Sequence, residues 1–155
     1  MKGYLLKGTE IDVHDGEFKQ HFLNENAQRT NLSLGDLTGL TGIGFHIIDV
    51  PAGRDSTEYH AHGYEDECVY VLSGNGTVTI ADQEFEIEAG DFIGYRAGGE
   101  AHAMTNTGSE VLRCIVVGQR LAHDVSDYPH RGKRLYRNSG RPWEIVDVEQ
   151  ISEPD

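Results

Sequence analysis

"EYHAHGYEDECVYVLSGNG", residues 58–76, sets two histidines, four carboxylates and a cysteine at the approach to an apolar strand. A solvated loop accounts for the charges alone. It does not account for histidines two apart, a glutamate five residues later and a glycine turn closing the segment. In extended chain, residues i and i+2 share a face, so His60 and His62 point the same way. If a strand begins at Glu67, that residue shares its face with Val69 and Val71, while Cys68 and Tyr70 take the other. The apolar pair marks the inward side.

Working outward, "IGFHIIDV" (43–50) reads as a strand ended by "PAG", and "TVTI" (77–80) as another after the turn "SGNG". "ADQ" is a hairpin turn into "EFEIEAGD" (84–91), which alternates with period two; "FIGY" (92–95) and "VLRCIVVG" (111–118) complete the set. Short strands split by glycine-rich turns, with no helical stripe between them, predict an antiparallel barrel or sandwich. The 19 glycines point the same way. The first forty residues are mixed and polar. After Gly118 the chain is broken by Pro129, Pro142 and Pro154, and charges dominate.

At 155 residues a single domain with a real core is expected. A net charge of −13 argues against nucleic acid as a partner. No apolar run approaches the roughly 18 residues that span a bilayer, and the N-terminus lacks a signal-peptide core, so a cytoplasmic location without membrane contact is expected. Cys68 and Cys114 cannot make a disulfide framework and are expected as free thiols.

A third histidine, His102, follows the glycine-rich "GDFIGYRAGGEA", which can fold a strand back over the first pair. Three imidazoles and the Glu67 carboxylate form a credible site for one divalent ion. Such a nitrogen and oxygen set suits Zn, Fe, Mn, Ni or Co.

These residues resemble the two motifs of the cupin superfamily. The first, G-x5-H-x-H-x3–4-E-x6-G, corresponds to Gly53, His60, His62, Glu67 and Gly74, with one extra residue before His60. The second, G-x5-P-x-G-x2-H-x3-N, corresponds to Gly90, Gly98, His102 and Asn106. Arg96 stands where proline is usual, and three residues separate Gly98 from His102. "LGDLTGLT", "YEDECVYVLSG", "GDFIGYRAGG" and "DVSDYP" look like a group of small bacterial single-domain cupins without an assigned reaction. The resemblance implies an all-β cupin: a double-stranded β-helix, or jelly-roll-like barrel, over 40–118. Residues 1–39 would pack on the barrel and 119–155 would form an irregular tail. It also implies a metal site of His60, His62, Glu67 and His102.

Several residues are secondary candidates. His46 reads as a hydrogen-bonded core histidine or as part of the pocket lining, and Cys114 is expected as a small buried hydrophobe. Glu65 and Asp66 read as rim charges; Tyr59, Tyr64 and Tyr95 are candidate pocket phenols. Asn106 reads as a turn residue. Arg96 reads as a surface ion pair, or as a clamp for a substrate carboxylate. The basic cluster Arg131, Lys133, Arg134 and Arg137 reads as either a partner-subunit contact or a solvated tail. The expected function is a metalloenzyme acting on a small carbonyl, hydroxy-acid or sugar-like molecule, of dioxygenase, isomerase, epimerase or lyase type. The alternative is a non-catalytic ligand-binding or sensor protein using the same metal. Exposed strand edges make a homodimer the expected assembly.

Overall fold

Alternation along "ECVYVLS" buries Val69 and Val71 and leaves Tyr70 exposed, as strand parity requires. The computed structural model describes residues 3–155. In chain order its elements are α1 (Gly8–Asp12), β1 (Glu17–His21), β2 (Asn24–Ser33), α2 (Leu34–Thr38), β3 (Ile43–Val50), β4 (Ala61–His62), β5 (Glu67–Ser73), β6 (Asn75–Ile80), β7 (Gln83–Glu88), β8 (Phe92–Tyr95), β9 (His102–Thr105), β10 (Leu112–Gln119), β11 (His123–Tyr128), β12 (Lys133–Asn138) and β13 (Glu144–Asp147). Among the described residues no helix is long and apolar enough to cross a membrane.

The strands form a six-stranded sheet, β1-β2-β3-β10-β5-β8, a four-stranded sheet, β13-β12-β11-β4, and a three-stranded sheet, β7-β6-β9. All named pairings are antiparallel. The core lies between the first and third sheets: Ile48, Val50, Val69, Val71, Ile93, Leu112 and Cys114 meet Val78, Ile87 and Met104. Fully burying a side chain of this size contributes about 1.5–3 kcal/mol. Cys114 is buried and Cys68 lies on the opposite, outward parity of its strand; both thiols are free.

Turn chemistry fixes the register. The β6–β7 hairpin turns through Ala81 and Asp82, both at positive φ, the pattern of a tight type I′ connection. Gly74 has φ of 82°, and a Cβ there would lie 2.5 Å from the Val111 carbonyl oxygen, so only glycine closes this corner.

The C-terminal part departs from the expected irregular tail. Its three strands β11–β13 form a sheet that pairs with β4, which carries His62. The inward positions of β11 are Asp124, Ser126 and Tyr128, so no apolar alternation marks this strand in the sequence. At the other end, β1 and β2 extend the main sheet by pairing onto β3.

Candidate metal centre

The site assembles through one backbone contact. His60 and His102 form an isolated antiparallel bridge in which each N–H donates to the other's carbonyl, at 3.0 and 2.8 Å. That exchange places their imidazoles side by side, with ring centroids 4.8 Å apart. His62, two residues on, presents its Nε2 at 3.1 Å from the His60 Nε2. Glu67 enters from β5, with its Oε1 3.9 Å from the His102 Nε2. The ligand atoms of His60, Glu67 and His102 lie within 4.8 Å of one another. Opposite Glu67 on β10 is Gly118, which leaves the carboxylate room.

Hydrogen bonds set the tautomers. The Nδ1 of His60 donates to the Glu58 carbonyl at 2.8 Å, that of His102 to the Glu100 carbonyl at 3.2 Å, and that of His62 to Asp124 Oδ2 at 2.7 Å. With each Nδ1 carrying the proton, all three Nε2 atoms offer lone pairs. The His102 Nε2 is buried and has no partner. Converging lone pairs in a buried site repel unless a cation lies between them. The buried, unpartnered His102 Nε2 and the 3.1 Å approach of the His60 and His62 Nε2 atoms suit a divalent metal.

Burial keeps two of the three imidazoles neutral. Burial, reinforced by the neighbouring imidazoles, holds His60 well below the ordinary histidine range. Burial brings His102 down to about 4. For His62 burial acts in the same sense, but the Asp124 hydrogen bond and the nearby carboxylates outweigh it and raise the pKa. Burial also raises Glu67, with His62 and Arg29 opposing.

A second layer comes from the C-terminal sheet, which the sequence did not reveal. Buried Asp124 orients His62 and also accepts the Tyr64 N–H. Arg131 donates twice to buried Glu58, the residue whose carbonyl orients His60. Arg137 pairs with Glu65 and lies 3.9 Å from Asp124. Glu65 is therefore no rim charge: it is buried and also accepts the Leu121 N–H. Lys133 and Arg134 pair with Asp147 and Asp127. The basic cluster is thus matched inside the chain.

The site opens into a cavity of about 1030 Å³. Tyr95 lines it and stacks flat on His102, with centroids 3.5 Å apart and planes at 3°. His46 lines it too, with Nδ1 bonded to the Asn31 amide at 3.2 Å. Tyr59 is buried outside the cavity, stacked on His130, and Tyr64 is exposed. Arg96 is exposed, outside the cavity and without an ion pair among the described residues. Asn106 is fully buried and ties Val50 to Glu110 through its amide. Sequence reasoning passed over His21, Arg29, Tyr128 and Trp143, which all line the cavity.

Residues 46–118 match the family described as cupin domain. The chain superposes on the crystal structure of an Acidithiobacillus ferrooxidans protein named as a candidate sugar phosphate isomerase. The TM-score is 0.94 and the identity 49%, over 98% of this chain and 97% of the other. The chain belongs to the cupin superfamily. This cupin also shares its fold with a Silicibacter pomeroyi protein named as a sugar phosphate isomerase of the cupin superfamily, at TM-score 0.80 and 22% identity over 93% and 94% of the two chains. It is 33% identical over 66 residues to an uncharacterized protein of Methanocaldococcus jannaschii, and the match spans about half the length of that relative (51%).

Proposed function

We propose that this cupin is a metal-dependent enzyme acting on a small hydroxy-carbonyl molecule, with aldose–ketose isomerisation of a phosphorylated sugar as the preferred reaction. The carrying observation is the grouping of His60, Glu67 and His102 ligand atoms within 4.8 Å, with the His62 Nε2 3.1 Å from that of His60, at the wall of a ligand-sized cavity. The 49% identical neighbour, named as a candidate sugar phosphate isomerase, supports the choice of reaction.

His60, His62, His102 and Glu67 would hold the ion. When bound, a divalent ion polarises a carbonyl or hydroxyl oxygen as a Lewis acid. The chain supplies the rest. Tyr95 packs on His102 and fixes its ring plane. His21 accepts the Leu23 N–H at Nδ1, so its Nε2 bears the proton and can donate a hydrogen bond to a substrate oxygen. Tyr128 stacks 6.0 Å from His60 and turns a second hydroxylated ring on the cavity. Isomerisation moves one proton from the carbon beside the carbonyl to the former carbonyl carbon and a second from the hydroxyl oxygen to the former carbonyl oxygen, with no net oxidant or reductant.

The test is proton NMR in heavy water with aldose and ketose phosphates. Metal-loaded protein should exchange the α-proton and interconvert the pair, and chelated protein should not. Tight binding without exchange or turnover would favour the non-catalytic, ligand-sensing reading instead.

A further inference from the structure

Arg29 lies on β2, and its side chain lines the cavity beside the metal centre. Its Nη1 donates to the Ser56 carbonyl, but its Nε is buried and has no partner. Among the described residues no carboxylate forms an ion pair with it, in contrast to the matched cations of the C-terminal sheet. Burial works against the guanidinium charge, and the negative charge of Glu67 supports it. The cation therefore shares a field with a proposed metal ligand.

The neighbouring strand adds a second cation. Lys19 is the direct cross-strand partner of Arg29 and lines the same cavity. Its ammonium meets Glu17 at 2.8 Å, in a half-exposed pair that competes weakly with a ligand. Of the two cations on this wall, Lys19 is paired with Glu17, whereas Arg29 has no carboxylate of its own among the described residues of the cavity lining. A desolvated guanidinium with an unmet donor is costly, and an anion supplying oxygen acceptors removes that cost.

We propose that Arg29, with Lys19 at the rim, forms an oxyanion subsite that holds the phosphate or carboxylate of a ligand whose other end reaches the metal centre. The second half of that statement rests on the function proposed above; the subsite itself does not. Phosphate and carboxylate both match the guanidinium fork.

The test uses the full chain, chelated so that no metal competes for the anion, and titrated calorimetrically with inorganic phosphate and, in a parallel arm, malonate. One or both should bind, and Arg29→Met should weaken binding by at least about tenfold, the scale of a lost charge-assisted contact. Arg29→Lys keeps the charge without the fork and should fall between. Arg96→Met, exposed and outside the cavity, is the control and should change nothing. Whichever anion binds more tightly and depends on Arg29 names the group recognised. Failure of both to bind wild type, or binding that survives Arg29→Met, overturns the subsite. If Arg29→Met does not fold, unchanged affinity in Arg29→Lys overturns it equally. Because the protein is metal-free, failure of the isomerase reading leaves this result standing.

Discussion

Asp124 accepts the Nδ1–H of His62 at 2.7 Å across 62 positions of sequence, and is itself almost wholly buried. A carboxylate behind a ligand histidine fixes the ring and raises its basicity, and removing it typically costs 10–100-fold in metal affinity. Asp124→Asn keeps the shape and loses the charge. Competition with a chromogenic chelator should show metal affinity lower by about that factor, with the melting temperature of the apo protein much less affected.

Strand parity separates two adjacent residues. Glu67 faces the centre, whereas Cys68 takes the outward parity of β5. Glu67→Gln should weaken metal uptake, while Cys68→Ser should leave it unchanged. Metal analysis of the two variants side by side checks this, and equal losses would mean that the register of β5 is not what positions the carboxylate.

Burial of neutral His60 and His102 should cost the apo protein stability on acidification, against the opposite pull of His62 and Glu67, whose pKa values are raised. The folded pKa of His102 is about 4 because burial disfavours the imidazolium, whereas an unfolded histidine titrates near about 6.5. The unfolded chain thus binds more protons between those values. The contribution of neutral His102 is fully present above about pH 6.5 and is lost as pH falls through about 4, on the order of 3 kcal/mol. His60 shifts in the same direction. Urea unfolding of chelated protein from neutral pH to about pH 4 should show this decline, and a His102→Gln variant should show a shallower one.

Arg137 meets Glu65, whose side chain is only 5% exposed. Removing one member of a buried pair strands the other charge, at about 3 kcal/mol or more when both are buried; Arg137 is partly open to solvent, so about 2 kcal/mol is expected. Arg137→Leu should lower stability by that amount in denaturant unfolding, and adding Glu65→Leu should restore part of it.

The halves of this site differ in legibility for a physical reason. Strands facing the apolar core announce themselves: Val69 and Val71 alternate with exposed positions, and Ile48 and Val50 with half-buried ones. Strands facing the polar cavity do not. β2 reads "NENAQRTNLS" because Arg29 and Asn31 look onto the cavity, and β11 reads "HDVSDY" because its buried positions are Asp124, Ser126 and Tyr128. Polar inward residues erase the period-two signal, so the sheet that buttresses the histidines looked like a charged tail. The histidine pair and Glu67 were legible because i, i+2 spacing is local. The bridge that brings His102 to His60 depends on a 42-residue closure that no local pattern encodes.

The central claim is that His60, His62, His102 and Glu67 hold one divalent ion. Elemental analysis of untagged protein, before and after equilibration with Zn, Mn, Fe, Ni or Co, tests it most directly. Close to one ion per chain is predicted, falling to background in His62→Ala while the variant stays folded. A correctly folded wild type that is metal-free and takes up none of these ions would contradict the account.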